Sequence, residues 1–472
     1  MKLPRTIVPI AAVFALSACS LFPKNEPAPP PPPPVTASAP AANPNATATD
    51  WIDPDTGHRI VRLSTEAGTL SLYFHQNAFT PQGDAVIVNS TSGIMAIDLK
   101  TRAVKTVVPG NVNALFVGRK KRDVYFTKRE GAAPGGADGA AVVYAADIDT
   151  GTTRQVGRVP RGTVVSVNAD ETLLLGSFAE REFQLQTGTR DPRFEAQYAG
   201  EKRADGTPYT FAEAKERRLN ARLEARIPME IFTLNIATGK IRAVYRSRDW
   251  LNHLQFSPTD PGLIMFCHEG PWHKVDRIWT IRTNGKGLTL IHKRTLNMEI
   301  AGHEFFSPDG QRIYYDLQPP RGQVFWLASY DLKTKQRVWR HLERNEWSVH
   351  FNVSRDQTLI SGDGGDAEMV AHAPDGKWLY LFHPEPIPDV ADIHAANAGS
   401  LVIPALLHPE KLVNMHDHDY RLEPNMTFTP SRISDSQRIS EPVQTRESST
   451  VEDSVGTAAD GLFKATAGAA AF

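Results

Sequence analysis

Polar and apolar positions alternate in short runs along most of the chain, and the runs recur in a fixed order. An apolar run meets a turn built on Pro, Asp, Asn or Gly, and a second β-rich run follows. Seven stretches begin this way: NAFTPQGDAVIV from Asn77, ALFVGRKKRDVYF from Ala114, VSVNADETLLLG from Val165, LQFSPTDPGLIMF from Leu254, EFFSPDGQRIYY from Glu304, HFNVSRDQTLIS from His350 and MTFTPS from Met426. Several are followed by a further strand that closes on Asp or Asn and a turn, as in MAIDLKT, YAADIDTG, FTLNIATG and ASYDLKT. Such runs and turns predict hairpins. Seven starts, about 35 to 90 residues apart, predict an all-β, seven-bladed β-propeller over residues 51–430, against a β-sandwich or an irregular β array. Ring closure would set an N-terminal strand, HRIVRLS, against the last blade.

Two insertions interrupt the rhythm. Residues 189–228 are highly charged and include FAEAKERRLNARLEARI, whose composition and apolar spacing predict a helix. Residues 383–422 carry HPEPIPDVADIHAANAG and NMHDHDYRLEPN and read as a long functional loop. After Pro430 the strand pattern stops. Residues 431–472 are rich in Ser, Thr, Glu and Ala and predict a disordered tail, which leaves the last blade incomplete. A change of frame in the coding sequence would produce such a break; a functional tail is the alternative.

The start of the chain reads as a targeting segment. MKLPR is basic, and IVPIAAVFAL is an apolar core of signal-peptide length. It ends in Leu16-Ser-Ala-Cys19, which resembles a bacterial lipobox and implies a signal peptide over 1–18 with Cys19 lipidated. Acyl chains there would anchor the protein to a membrane, and Ser20 fits the outer membrane, facing the periplasm. Residues 19–50 then form a Pro- and Ala-rich linker with polyproline II character. The chain has two cysteines, so lipidation of Cys19 leaves Cys267 without a disulfide partner.

A formal net charge of −1 over 472 residues gives no electrostatic case for nucleic acid, so an anionic ligand would need a local basic site. Phosphate-loop, dinucleotide and nucleophile-elbow motifs are absent from credible positions. The unusual stretch is FCHEGPWHKVDRIW from Phe266, where two histidines, two carboxylates and two cations lie between apolar runs. His253, His268, His273, His303, His350, His383, His416 and His418 fall at strand ends or insertions, and equivalent blade positions converge in a propeller. Met415-His416-Asp417-His418 is a weak candidate chelate.

CHEGP from Cys267, GHEFFSPDG from Gly302, the segment from His350 through GDGGD, and FTP at Phe428 occur in the order and spacing seen in the oligogalacturonate lyases. DPDTGHRIVRLS resembles their N-terminal strand. The resemblance implies a seven-bladed propeller that cleaves short pectin-derived uronides by β-elimination, with manganese as cofactor. A base removes the C5 proton α to the carboxylate, and a neutral imidazole near about pH 7 suits that task. By resemblance His268 is the base and His303 a metal ligand.

The chain departs from the family in the remaining ligands. The family places Gln-x-x-His-x-His before its last FTP, where this chain has Tyr420, Glu423 and Asn425. Glu423 and Asn425, with His350, would complete a harder donor set that also suits Ca²⁺ or Mg²⁺. A family arginine is replaced by Glu230, so Arg226, Lys274, Arg277 and Arg421 are the candidate holders of substrate carboxylates. The blades also resemble periplasmic TolB-type repeats, which makes a non-catalytic binding or scaffold propeller the alternative function.

Overall fold

The computed structural model describes residues 50–66, 68–130, 140–180, 203–207, 209, 211–366, 369–388, 394–416, 418, 424–430 and 462–463. The chain divides into two compact units, Met1–Ala46 and Thr47–Phe472, and the described residues all lie in the second. The expected signal peptide, Cys19, most of the linker and nearly all of the tail fall outside them.

The described fold is nearly all-β. Six antiparallel meanders follow one another along the chain. The first joins Ala85–Ser90, Gly93–Asp98 and Val104–Pro109, with Phe79 bridged to Val86 on its inner side. The second runs Ala114–Val117, Asp123–Glu130, Ala140–Asp147, Thr153–Val159, and the third Thr163–Val167, Leu173–Ala179, Met229–Asn235, Ile241–Ser247. The fourth runs Trp250–Phe256, Leu263–Glu269, Ile278–Arg282, Thr289–Leu290. The fifth is Ile300–Phe306, Arg312–Gln318, Phe325–Asp331, Arg337–Leu342, and the sixth Phe351–Val353, Ile360–Gly362, Trp378–Pro386, Ile403–Asn414. Thr427–Phe428 begins at the seventh repeat start and pairs with Leu462–Phe463.

The apolar cores lie between successive sheets rather than inside one. Phe116, Tyr125, Val143, Leu174 and Phe232 join the second sheet to the third. Leu175, Ile231, Phe256 and Phe266 join the third to the fourth, and Met265, Ile278, Ile313 and Tyr315 join the fourth to the fifth. Strands buried on both faces explain the near-continuous apolar runs such as LIMF. Each fully buried aromatic or branched side chain contributes about 1.5–3 kcal/mol. Sheets packed face to face in series, each a meander, are a propeller-like arrangement.

Two expectations change, and the expected helix forms. Arg59–Val61, from HRIVRLS, pairs with Asp50–Ile52, and this hairpin rests on the sixth sheet through Thr56 Oγ1, which donates to the Leu412 carbonyl at 2.8 Å. The loop expected over 383–422 is largely sheet: Trp378–Pro386 and Ile403–Asn414 form a long hairpin, with Val338–His341 of the fifth sheet pairing in parallel to Ile403–Leu406. Its prolines read as loop, but Pro384, Pro386 and Pro409 lie where the strand is paired on one side only, so no ladder hydrogen bond is lost. The expected helix forms over Phe211–Ala225, shorter than the charged insertion that contains it.

Candidate active site

Inner strands deliver a cluster of imidazoles. His253 and His303 sit in the inner strands of the fourth and fifth sheets, and His350 immediately precedes that of the sixth. Both first strands bulge at the histidine: register shifts between Asn252 and Gln255 and between Gly302 and Phe305. His253 and His303 therefore adopt left-handed φ of 48° and 49°, and Asn425 one of 51°. Such positions cost of order 1–3 kcal/mol each and concentrate where function needs them. Tyr73 and His75, from the segment before the first sheet, complete the cluster. Ring centroids lie 5.2 Å apart for His303–His350, 5.1 Å for Tyr73–His350 and 6.1 Å for His75–His253. Burial pulls His75 and His253 down to about 3, so both are neutral at physiological pH.

Carboxylates orient two of these rings. Asp316 Oδ1 is 3.2 Å from His303 Nδ1, and Asp363 Oδ2 is 2.8 Å from His350 Nδ1. The GDGGD segment is built for the second contact. A Cβ on Gly364, whose φ is +64°, would lie 2.2 Å from the Trp378 carbonyl oxygen, and one on Gly362 2.2 Å from Ser348 Oγ. Glycine there lets the backbone close in, and Asp363 accepts from both the His350 backbone N–H and its ring. The other His350 nitrogen, Nε2, is 3.1 Å from the Tyr73 hydroxyl.

His268 stands at the end of Leu263–Glu269, its backbone N–H donating to the Arg277 carbonyl at 2.7 Å. Its Nε2 is 3.4 Å from Asp249 Oδ1, and Arg226 Nη1 donates to that oxygen at 2.6 Å. Burial lowers the His268 pKa; Asp249 pulls it back up, Arg226 and Arg277 push it further down, and Glu269 raises it. A neutral imidazole beside a carboxylate can accept a proton.

Below this lies a buried charge network. Arg277, 5% exposed, binds Glu269 through two nitrogens at 2.7 and 3.2 Å, and its Nε lies 3.9 Å from Glu304 Oε2. Glu304 is fully buried, and burial raises its pKa. Burial also pushes the Cys267 thiol well up, which makes it inert as a nucleophile.

The expected substrate cations are thus separated. Arg277 is an interior counter-ion, not an open carboxylate holder, because its guanidinium is enclosed and committed to Glu269. Lys274 is exposed, but its ammonium contacts Asn220 of the helix. Arg226, half-exposed, shares Asp249 with His268, and Arg421 lies outside the described residues. Among the expected metal ligands, Asn425 accepts from the Phe74 backbone N–H at 3.1 Å, and Glu423 lies outside the described residues. Sequence reasoning missed Tyr73, His75, Asp249 and Asp316. LYFHQN ahead of the first repeat start was the available signal for the first two; no pattern marked the others.

A family model described as oligogalacturonate lyase matches residues 222–394, which contain His253, His268, His303 and His350. Over this stretch the chain resembles the oligogalacturonate lyases. The oligogalacturonide lyase of Pectobacterium atrosepticum is 29% identical over 160 residues, and the oligogalacturonate lyase of Dickeya dadantii 28% over 160. Each match spans 32% of this chain and 40% of the relative's length. A solved oligogalacturonate lyase in complex with manganese superposes with a TM-score of 0.59 at 20% identity, covering 81% of this chain and 89% of that one. One from Vibrio parahaemolyticus gives 0.58 at 19%, covering 81% and 90%. These two likenesses establish a shared fold with the lyases.

Whether a divalent ion suits the described residues turns on the imidazoles. His303 and His350 each have a carboxylate on Nδ1, the second-shell arrangement of metal-bound histidine. They therefore fit a metal in part. His350 Nε2 faces the Tyr73 hydroxyl, which would have to give way. Among the described residues no three His, Cys, Asp or Glu side chains converge as a complete set.

Proposed function

We propose that the protein is an oligogalacturonate lyase that cleaves short pectin-derived uronides by β-elimination. The observation that carries this is the family match over 222–394, the stretch that holds His268 beside Asp249 together with His303 and His350. In this reading neutral His268 takes the C5 proton. The electron pair forms the C4–C5 double bond, and the C4–O bond breaks. Arg226, beside Asp249 and half-exposed, would bind the uronate carboxylate, with Lys274 and Arg421 as further candidates. A divalent cation held by His303 and His350, most simply Mn²⁺, with Ca²⁺ or Mg²⁺ as alternatives and Glu423 and Asn425 as further ligands, would offset charge on that carboxylate. The test is ultraviolet absorbance of the unsaturated product from digalacturonate. No product from galacturonides, glucuronides or alginate fragments would remove the enzyme reading.

The commitment of Arg277 to Glu269 and of Lys274 to Asn220 favours a second reading, a non-catalytic binding propeller. Uronide binding without turnover would select it. We read the architecture as seven blades, the seventh started by Thr427–Phe428. What supports this is the core that Phe428 and Ile60 share with Leu379, Leu381 and Leu412 of the sixth sheet. The lipobox-like Leu16–Cys19 supports lipid attachment at Cys19 and an outer-membrane position facing the periplasm. Radiolabelled palmitate absent from the wild type, or retained by Cys19→Ala, would count against it.

A further inference from the structure

Asp249 serves two partners with one atom. Its Oδ1 accepts from Arg226 Nη1 at 2.6 Å and lies 3.4 Å from His268 Nε2. Its Oδ2 accepts from Ser247 Oγ at 2.9 Å, and its own backbone N–H donates back to that hydroxyl at 3.0 Å. The carboxylate is pinned in the turn between Ile241–Ser247 and Trp250–Phe256, so it cannot follow Arg226 away from the histidine.

The two nitrogens of His268 differ. Nε2 is buried and has no hydrogen-bond partner among the described residues, while Nδ1 is not enclosed. The nitrogen open to a ligand is therefore Nδ1, and the one facing the carboxylate is Nε2. Arg226 is held in place from the other side. It follows Phe211–Ala225 directly, takes a left-handed φ of 46°, and its carbonyl accepts from Arg248 Nη1 at 3.3 Å. A non-glycine residue at such a helix end is uncommon. Here it brings a half-exposed guanidinium onto the carboxylate that faces the base.

We infer that Asp249 is a positioning residue for His268, fixing Nε2 as the N–H and Nδ1 as the proton acceptor, and that Arg226 competes with His268 for the same carboxylate oxygen. This rests on the lyase reading. In the free protein Arg226 occupies Oδ1. A uronate carboxylate offers the guanidinium a bidentate partner, and Oδ1 is then released to the Nε2–H. The C5 proton passes to Nδ1, the C5–H electron pair becomes the C4–C5 double bond, and the C4–O pair leaves with the glycosidic oxygen, which takes a proton from water. The resulting imidazolium keeps one N–H on Asp249, which is where its charge is offset. Substrate binding and base activation are thereby one event, and only a ligand with a carboxylate in reach of Arg226 triggers it.

The charged groups around His268 are Asp249 and Arg226 from the third-sheet side and Glu269 and Arg277 from its own sheet. They make opposite predictions for two variants. The full-length chain, ¹⁵N-labelled at histidine and without substrate, is titrated by NMR, with His268→Gln identifying the resonances. Wild type should show the Nε2–H tautomer. Asp249→Asn should lose that preference and lower the His268 pKa by on the order of one unit. Arg226→Gln should raise it. Digalacturonate should raise the wild-type pKa and leave Arg226→Gln unmoved. In kinetics Asp249→Asn should lower kcat roughly tenfold to a hundredfold with KM little changed.

An Asp249→Asn protein with the wild-type tautomer and pKa overturns the inference, whatever its activity. If that variant fails to fold, Ser247→Ala, which frees Oδ2, should shift the pKa in the same direction by less; no shift overturns the inference equally. A wild type that eliminates no uronide defeats the lyase reading instead, and the NMR result then still decides the Asp249 contact.

Discussion

Replacing Arg277 by Met separates a structural counter-ion from a substrate ligand. The substitution keeps most of the side-chain volume and removes a guanidinium that is 5% exposed. Two carboxylates then remain, Glu269 at 11% exposure and Glu304 at 0%, with their shared cation gone. Removing one partner of a buried pair costs about 3–5 kcal/mol, because the other charge stays behind unpaired. With a urea slope of about 3 kcal/mol per molar, the midpoint should fall by roughly 1 M or more. The loss depends on pH in a definite direction. Glu304 already has a folded pKa above its ordinary value through burial, and losing Arg277 raises it further. A carboxyl with a raised folded pKa contributes stability that is present below its unfolded value and is lost as pH rises through the folded one. The deficit of Arg277→Met should therefore be large near about pH 7 and shrink toward about pH 4. Urea unfolding followed by tryptophan fluorescence at both pH values measures it. Adding Glu269→Gln should recover part of the loss, with a coupling of about 0.5–3 kcal/mol. A variant with the wild-type midpoint and a raised KM for uronides would show that Arg277 holds substrate and that the argument from burial fails.

Other consequences are simpler to test. Because burial lowers the His268 pKa, the base stays neutral to more acid pH than free imidazole, and the acid limb of kcat/KM should fall below about 6.5; a limb at or above that value refutes the assignment. Gly364→Ala forces a Cβ against the Trp378 carbonyl at a left-handed φ and should cost about 2 kcal/mol or more in a thermal melt; a wild-type melt would count against the close approach. Elemental analysis after dialysis against Mn²⁺ should find one ion per chain in the wild type and none in His303→Ala; equal content in both would take His303 out of the metal role.

Much of the fold could be read from turn chemistry. Five of the seven repeat starts, those at Ala114, Val165, Leu254, Glu304 and His350, fall on or beside the first strands of the second to sixth sheets, because Pro-Asp-Gly links and buried apolar runs are local signals. The long hairpin was missed because its prolines, in HPEPIP and IPALLHPEK, look like breakers. That they fall where the strands are paired on one side only is a tertiary fact. The histidines were legible for a related reason: they stand at equivalent repeat positions. Their carboxylates were not. Asp316 reaches His303 from the neighbouring strand, where it pairs with Gly302, and Asp249 reaches His268 from the turn between the third and fourth sheets. Arg277 was misread because a cation four residues beyond a turn looks solvent-facing in the sequence, and only its position over Glu269 reveals it as interior.

The parallel pairing of Val338–His341 with Ile403–Leu406 has a mechanical consequence. Among the described residues no other two of the six meanders are joined strand to strand. These two are laced at their rims by main-chain hydrogen bonds, so neither presents a free edge there. They are also the sheets that carry His303 and His350. The pair should open as one cooperative unit, slow to exchange its amide protons relative to the first sheet. The distance between the two imidazoles is thus guarded by a seam between the outer strands of their two sheets.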